Sequence, residues 1–213
     1  MAAPRVFVFD IDGVVRTFRP ERMAARLRDE LDAPLGVIER VAFSEPLARE
    51  LVEGRLTRAA WVEVVAERVA RHARHPEHAA SVVAEWASDT GQLVPRTIAL
   101  IDELRREHPV FALTNGTDTT RQELEAHGIL GHFVRVLNSY EIGVAKPDRA
   151  CFAAAHAGIE AALGHAVDAA SVHFTDDLEN NVAAATEFGW HARVFTDAES
   201  LARSIRQLLG TAN

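Results

Sequence analysis

The chain has 213 residues, 48% of them apolar and 25% charged, with a formal net charge of -8. That length accommodates one core domain with a modest second module, and the composition is that of a packed soluble protein, not a disordered or fibrous one. The acidic balance argues against a nucleic-acid partner, whose backbone must be met by Lys and Arg, and the lone Cys151 excludes an intrachain disulfide, a thiolate zinc cluster and an iron-sulfur centre and suits a reducing cytoplasm.

Met1 to Arg5 lead directly into Val6-Phe7-Val8-Phe9, which ends at Asp10. The run is far too short for an export signal or a membrane span, so no membrane partner is expected. It reads as a strand buried on both faces of a parallel sheet. From about Thr17 to Val94 no comparable strand run occurs and helical spacing takes over. Pro20 can start a helix containing Met23, Leu27 and Leu31, Trp61, Val65 and Val69 recur every four residues, and Val82, Val83 and Trp86 outline another face. Beyond this insert, strands and helices alternate. Ile98, Leu100, Ile101 and Leu104 mark a helix, Val110 to Leu113 a strand ending at Thr114, and Thr120 with Glu123 a helix opened by a capping box and closed near Gly128. Val134 to Leu137 form a strand before Asn138, followed by a helix from about Asp148 to His156. Val172 to Phe174 run into Thr175-Asp176-Asp177, a helix follows Asn181, and Ala192 to Phe195 form the last strand. A final helix begins near Asp197, with Leu201, Ile205, Leu208 and Leu209 on one face.

This order predicts an α/β fold: a three-layer, Rossmann-like parallel-sheet core of residues 1–16 and 95–213, with a small inserted α-helical module at 17–94. Ligands of such sheets sit outside the carboxyl ends of the strands, and an insert leaving just after Asp10 and Asp12 would hang over that end.

Four stretches stand at or just beyond predicted strand ends: Asp10-Ile11-Asp12-Gly13-Val14, Thr114-Asn115-Gly116, Lys146-Pro147-Asp148 and Asp176-Asp177-Leu178-Glu179-Asn180-Asn181. A parallel sheet would gather them into one pocket. Carboxylates so close repel and call for a cation. Mg2+ suits them, because it takes hard oxygen ligands and bridges carboxylate to phosphate; Asp10 and Asp177 are the expected direct ligands. Asp12, one residue beyond Asp10, can present its carboxyl group on the same side while the chain stays extended, and Gly13 permits the turn out.

The ordered set of motifs resembles the haloacid-dehalogenase-like hydrolases over almost the whole chain. In that family a first strand ends in Asp-x-Asp-x-Thr or Val, here Asp10-Ile11-Asp12-Gly13-Val14, and the later motifs match Thr114, Lys146 in Lys-Pro-Asp form, and Asp176, Asp177 and Asn181. The resemblance implies a nucleophile at Asp10 that forms an aspartyl-phosphate and an acid-base residue at Asp12, whose backbone carbonyl would also hold magnesium. It implies phosphoryl contacts from Thr114, assisted by Asn115 and the amides near Gly116, and charge neutralisation by Lys146. Asp177 would bind the metal directly, while Asp176 and Asn181 would act in the outer shell or orient Lys146. It further implies that the helical insert is a cap. Members that displace halide lack the second acid, so Asp12 points to phosphate monoester hydrolysis of a small phosphorylated metabolite, by a monomer or homodimer. Two other readings stand beside it: a phosphomutase of the same superfamily, and a phosphate-sensing domain that labels itself without turnover.

Outside these motifs, His72, His75 and His78 recur every three residues, but Pro76 interrupts the helix and no acid completes a metal site, so they are read as solvent-facing. His173 is read as a packed, hydrogen-bonded strand residue. Trp61 and Trp86 are read as core of the insert, and Phe18, Arg19, Arg22 and Arg58 as candidates to face substrate.

Overall fold

In the computed structural model, which describes residues 5–19 and 23–210, β1 (Val6–Phe9) sends alternate side chains to opposite faces of one sheet. Phe7 and Phe9 enter one apolar cluster, Val6 and Val8 another. β4 (Val110–Thr114), β5 (Val136–Asn138), β6 (Val172–Asp176) and β7 (His191–Val194) complete a five-stranded parallel sheet in the order β5-β4-β1-β6-β7. From β1 the chain builds outward to β5, then returns to the other side of β1 for β6. The switch in direction therefore falls between β1 and β6, where a crevice opens at the carboxyl ends of the strands.

Helices cover both faces. α6 (Pro95–Leu104) and α11 (Ala198–Leu209) pack Leu100, Ile101, Leu104, Leu201 and Ile205 against Phe7 and Phe9, and α7 (Thr120–Ala126) adds Leu124. On the other face α9 (Arg149–Leu163) and α10 (Glu179–Phe188) bury Phe152, Ile159 and Ala185 with Val6, Val8, Phe174 and Trp190. Each large apolar side chain withdrawn from water in this way contributes roughly 1.5–3 kcal/mol. Asp148 and Asp197 cap α9 and α11 by accepting the amides of Ala150 and of Glu199 and Ser200.

Several boundaries differ from the sequence expectation. β5 begins at Val136, because Val134 lies at the entry to the strand, 53% exposed, and the ladder is regular only from Ala112 opposite Val136. β7 starts at His191 and is a partly exposed edge strand, not a doubly buried one. α9 runs seven residues past His156, to Leu163. The expected capping box of α7 is absent: its N-cap is Thr119, which makes no side-chain cap bond.

Between β1 and α6 the chain makes a separate helical lobe: α1 (Ala24–Asp29), α2 (Val37–Ala42), α3 (Leu47–Val52), α4 (Arg58–Ala70), a 3-10 turn (Pro76–His78) and α5 (Ala79–Ala87). Its own core contains Met23, Leu27, Leu31, Ile38, Trp61, Val65, Val69, Val82 and Val83. β2 (Arg16–Thr17) and β3 (Gln92–Leu93) pair antiparallel at the base of the lobe, so departure and return are tied together. Pro20 and Arg22 lie outside the described residues. Among those described, no helix is long and apolar enough to cross a membrane.

Candidate active site

Asp10 follows the last residue of β1, and Asp176 ends the neighbouring β6, so the two acids flank the switch point. Lys146 reaches between them from the loop after α8 (Ser139–Ile142). Its ammonium donates to Asp176 Oδ2 at 2.6 Å and to Leu113 O at 3.0 Å, and lies 3.0 Å from Asp10 Oδ2. Asp176 is wholly buried and also accepts from Asn181 Nδ2 at 3.0 and 3.1 Å and from the Leu178 amide at 2.9 Å. Asp10 Oδ1 accepts from the Ile11 amide at 2.7 Å. Asp176 and Asn181 thus form a fixed support for Lys146.

One oxygen from each of Asp10, Asp176 and Asp177 lies within 4.8 Å of the others. Three acids facing one lysine leave excess negative charge in a buried space. Burial pushes Asp10 up to about 8, with Asp176 and Asp12 adding to the rise and Lys146 opposing it. Asp177 is raised by burial and by Asp176. Lys146 is held above the ordinary lysine range: burial opposes its charge, but Asp10 and Asp176 outweigh that. An added divalent cation fits this donor set, since it would supply the missing positive charge to hard carboxylate oxygens. Gly13 keeps the space open. Its φ of +86° favours glycine, and a Cβ there would collide with the Asp177 carboxylate.

Thr114 ends β4 and is buried. The Asn115 side chain clamps the lysine loop instead of standing free: its amide donates to Lys146 O at 2.9 Å, and its oxygen accepts from Lys146 N at 2.8 Å. Gly116 packs where a Cβ would meet Thr120 Oγ1 and Asn138 Oδ1, and the Thr120 hydroxyl accepts from the Thr117 amide at 2.8 Å. That bond explains why Thr120 is not the expected helix cap.

Asp12 stands outside the three-acid cluster, its carboxylate turned to Arg16, with Nε 2.5 Å from Oδ1. Arg16 is 4% exposed; it also donates to Glu123 Oε2 at 2.8 Å and to Thr90 O at 3.2 Å. Glu123 in turn lies 3.1 Å from Nη1 of Arg58, at the start of α4, and accepts from the Thr119 hydroxyl at 2.7 Å. Sequence reasoning missed Arg16 and Glu123. The available signal for the first was a cation four residues after Asp12 in an otherwise apolar run; the second was absorbed into the capping-box pattern. The chain Asp12-Arg16-Glu123-Arg58 joins the first motif to the helical lobe. Arg58 N donating to Asp118 and Ser139 Oγ donating to Val52 O reinforce the junction.

Between core and lobe lies a cavity of about 790 Å³, lined by Asp12, Asn115 and Gly116 at its core side and by Phe18, Arg19, Arg58, Trp61 and Trp86 among others. The remaining sequence candidates lie elsewhere. His75 and His78 stand near Glu77, at 3.7 and 3.8 Å, and belong to no metal-holding cluster found among the described residues. His173 stacks on Phe7 and His191, and among the described residues its ring makes no hydrogen bond; stacking replaces the one expected.

A parallel α/β core with clustered acids and a buried lysine at the switch point is an arrangement suited to holding an anion through a cation. The chain belongs to the haloacid dehalogenase-like hydrolases, whose family model matches residues 4–189. A phosphoserine phosphatase from Thermus thermophilus is 35% identical in an alignment 114 residues long that covers 49% of this chain and 46% of that protein; the chain thus matches about half the length of that curated relative. Among solved structures, a HAD-like family hydrolase from Porphyromonas gingivalis superposes with a TM-score of 0.69 at 21% identity, covering 98% of each chain. A HAD family enzyme from Bacteroides thetaiotaomicron, solved with magnesium and inorganic phosphate, gives a TM-score of 0.67 at 18% identity, over 91% of this chain and 95% of that one.

Proposed function

We propose that this protein is a magnesium-dependent phosphate monoester hydrolase that acts on a small phosphorylated metabolite through an aspartyl-phosphate on Asp10, with residues 17–94 as a cap over a core of 1–16 and 95–213. The observation that carries this reading is the meeting of Asp10, Asp176 and Asp177 around Lys146 at the sheet's switch point. The phosphoserine phosphatase relative and the magnesium- and phosphate-bound fold neighbour agree with it.

Asp10, Asp177 and the backbone of Asp12 would hold the ion. When bound, it supplies positive charge that lets a carboxylate approach a phosphoryl dianion. Lys146 keeps the Asp10 carboxylate aimed by its contact with Oδ2. An Asp10 oxygen bonds to phosphorus as the ester P–O bond breaks, and Asp12, turned from Arg16 and protonated when substrate enters, gives its proton to the departing alkoxide. Asp12, now a carboxylate, then takes a proton from water; the water oxygen bonds to phosphorus, releasing inorganic phosphate and regenerating Asp10. Thr114 and the amides around Gly116 would steady the phosphoryl oxygens, and positioning of this kind supplies much of the acceleration in phosphoryl transfer.

Phosphate release from a panel of monoesters, including p-nitrophenyl phosphate and phosphoserine, tests the proposal. Release should require Mg2+ and fall by at least about a thousandfold in Asp10→Asn, which lacks the nucleophile. Near-normal release by that variant would remove Asp10 from the role, and stoichiometric self-labelling without turnover would favour a sensing domain.

A further inference from the structure

Glu39 is the carboxylate that the cavity between core and lobe leaves unanswered. It lies on α2 and lines the cavity, and its Oε2 is shut off from solvent with no hydrogen-bond partner. The other acids lining the same space are engaged: Asp12 with Arg16, Glu85 with Arg26, and Asp89 with the Gly91 amide. Of the cations, Arg16 and Arg58 are neutralised by Asp12 and Glu123, and Arg19 is exposed to solvent. A buried carboxylate oxygen without a donor is costly, and a cationic ligand would relieve it, a protonated amine by donating an N–H and a quaternary ammonium by its charge alone.

The walls beside Glu39 suit such a ligand. Phe43 follows Glu39 by four residues and lies 6.2 Å from Trp86 between ring centroids; Trp86 lies 5.7 Å from Trp61. Trp61 is buried in the lobe core with its indole N–H committed to Ala42 O, and it backs Trp86 at the cavity wall. Phe43 borders the cavity and is 65% exposed, so its ring is open to a ligand there. Aromatic faces beside an unpaired carboxylate form a site for an organic cation. The cavity volume of about 790 Å³ is that of a pocket for a whole small organic molecule, far more than a phosphoryl group needs.

We propose that Glu39, Phe43, Trp61 and Trp86 form a subsite for an ammonium group carried by the leaving alcohol, which makes the substrate class of this site, on the hydrolase reading above, an amine-bearing phosphomonoester. The phosphoryl end enters the core side of the cavity, at Asp12, Asn115 and Gly116, and the cationic end meets the aromatic wall of the lobe.

Two neutral-versus-charged pairs test this. Choline and its carbon isostere 3,3-dimethylbutan-1-ol are titrated into the full chain with tryptophan fluorescence as readout, Trp61 and Trp86 being in the cavity and Trp190 in the core. Choline should bind at least about tenfold more tightly than the isostere, and Glu39→Gln should reduce that ratio to near one. Trp86→Leu should weaken choline more than the isostere. Equal affinities, binding of neither, or a preference untouched by Glu39→Gln would overturn the subsite. The second pair, choline phosphate and 3,3-dimethylbutyl phosphate, is compared in kcat/KM with p-nitrophenyl phosphate as reference. Mg2+-dependent release from the reference without a preference for the charged ester sinks the subsite alone. Choline-selective binding with no release from any ester sinks the hydrolase reading alone.

Discussion

Lys146 commits its ammonium to Leu113 O, Asp10 and Asp176 and is 4% exposed, so in the proposed mechanism it acts from inside the protein, aiming Asp10 and balancing its charge. Asp12 is placed differently. Its side chain is 43% exposed and faces the cavity that a leaving group would enter, which is where a proton donor to that group must stand. Asp12→Asn should therefore slow turnover of alkyl phosphates by about 10²- to 10⁴-fold, and that of p-nitrophenyl phosphate much less, because the nitrophenolate leaves without a proton. Steady-state kinetics on the two ester types checks this; equal losses on both would argue for a merely structural Asp12. Asn115 shows a limit of reading residues one at a time: as a neighbour of Thr114 it looks like a phosphate contact, but its amide is used on the backbone of Lys146, thirty-one residues later.

Among the elements, β2, α7 and α4 meet through one ionic chain. Arg16 comes from the first, Glu123 from the second and Arg58 from the third, and Glu123 joins the other two. Glu123 is held below the ordinary glutamate range: burial acts against its charge, but the Arg16 and Thr119 hydrogen bonds and Arg58 outweigh it. A depressed carboxyl pKa contributes stability above the unfolded value, and that contribution is lost as pH falls through the folded value. Glu123→Gln, leaving Arg16 with one carboxylate partner, should cost about 2 kcal/mol near neutral pH, and the gap from wild type should narrow below the ordinary glutamate range. Urea unfolding at the two pH values measures it. The same variant leaves Arg58 of the lobe without its core partner, so a change in KM without a comparable change in kcat is the expected kinetic sign. The capping-box pattern at Thr120 and Glu123 was visible in the sequence, but the chain used the same residues otherwise: the Thr120 hydroxyl turned to Thr117 and Glu123 to two arginines that are distant in sequence.

Across the whole molecule, the excess negative charge at the switch point and the buried histidine of the sheet set how stability responds to conditions. Mg2+ at about 100 times its Kd should stabilise the fold by about 2.7 kcal/mol, seen as a rise in Tm; Asp177→Asn should lose most of that rise. An unchanged Tm in wild-type protein would remove the metal from the acid cluster. Burial lowers His173 to about 4, with His191, Arg5, Arg193 and His108 adding to the shift. The unfolded chain takes up this proton near the ordinary histidine value of about 6.5, before the folded chain does, so stability is full above that pH and declines as pH falls towards 4. His173→Phe, which keeps a ring against Phe7 and His191, should flatten that part of the profile; thermal melts at pH 7 and pH 5 test it. A decline of the same size in the variant would assign the loss to other groups.

The strand runs, their terminal polar residues and the helical spacing of 17–94 were legible in the sequence, because burial on both faces of a parallel strand leaves continuous apolar runs, and one-sided burial of a helix leaves a period near four. Val6 to Phe9 and Val110 to Thr114 are such runs, and they indicated the fold, while the motifs after them indicated which residues the candidate site gathers. What only the tertiary structure decided are the meetings of distant residues: Arg16 with Glu123, Asn115 with Lys146, and the unanswered Glu39 lining one cavity with Trp61 and Trp86. Periodicity reports which side of an element is dry, whereas the partner of a charge depends on which elements the sheet order brings within a few ångströms, and no local pattern encodes that.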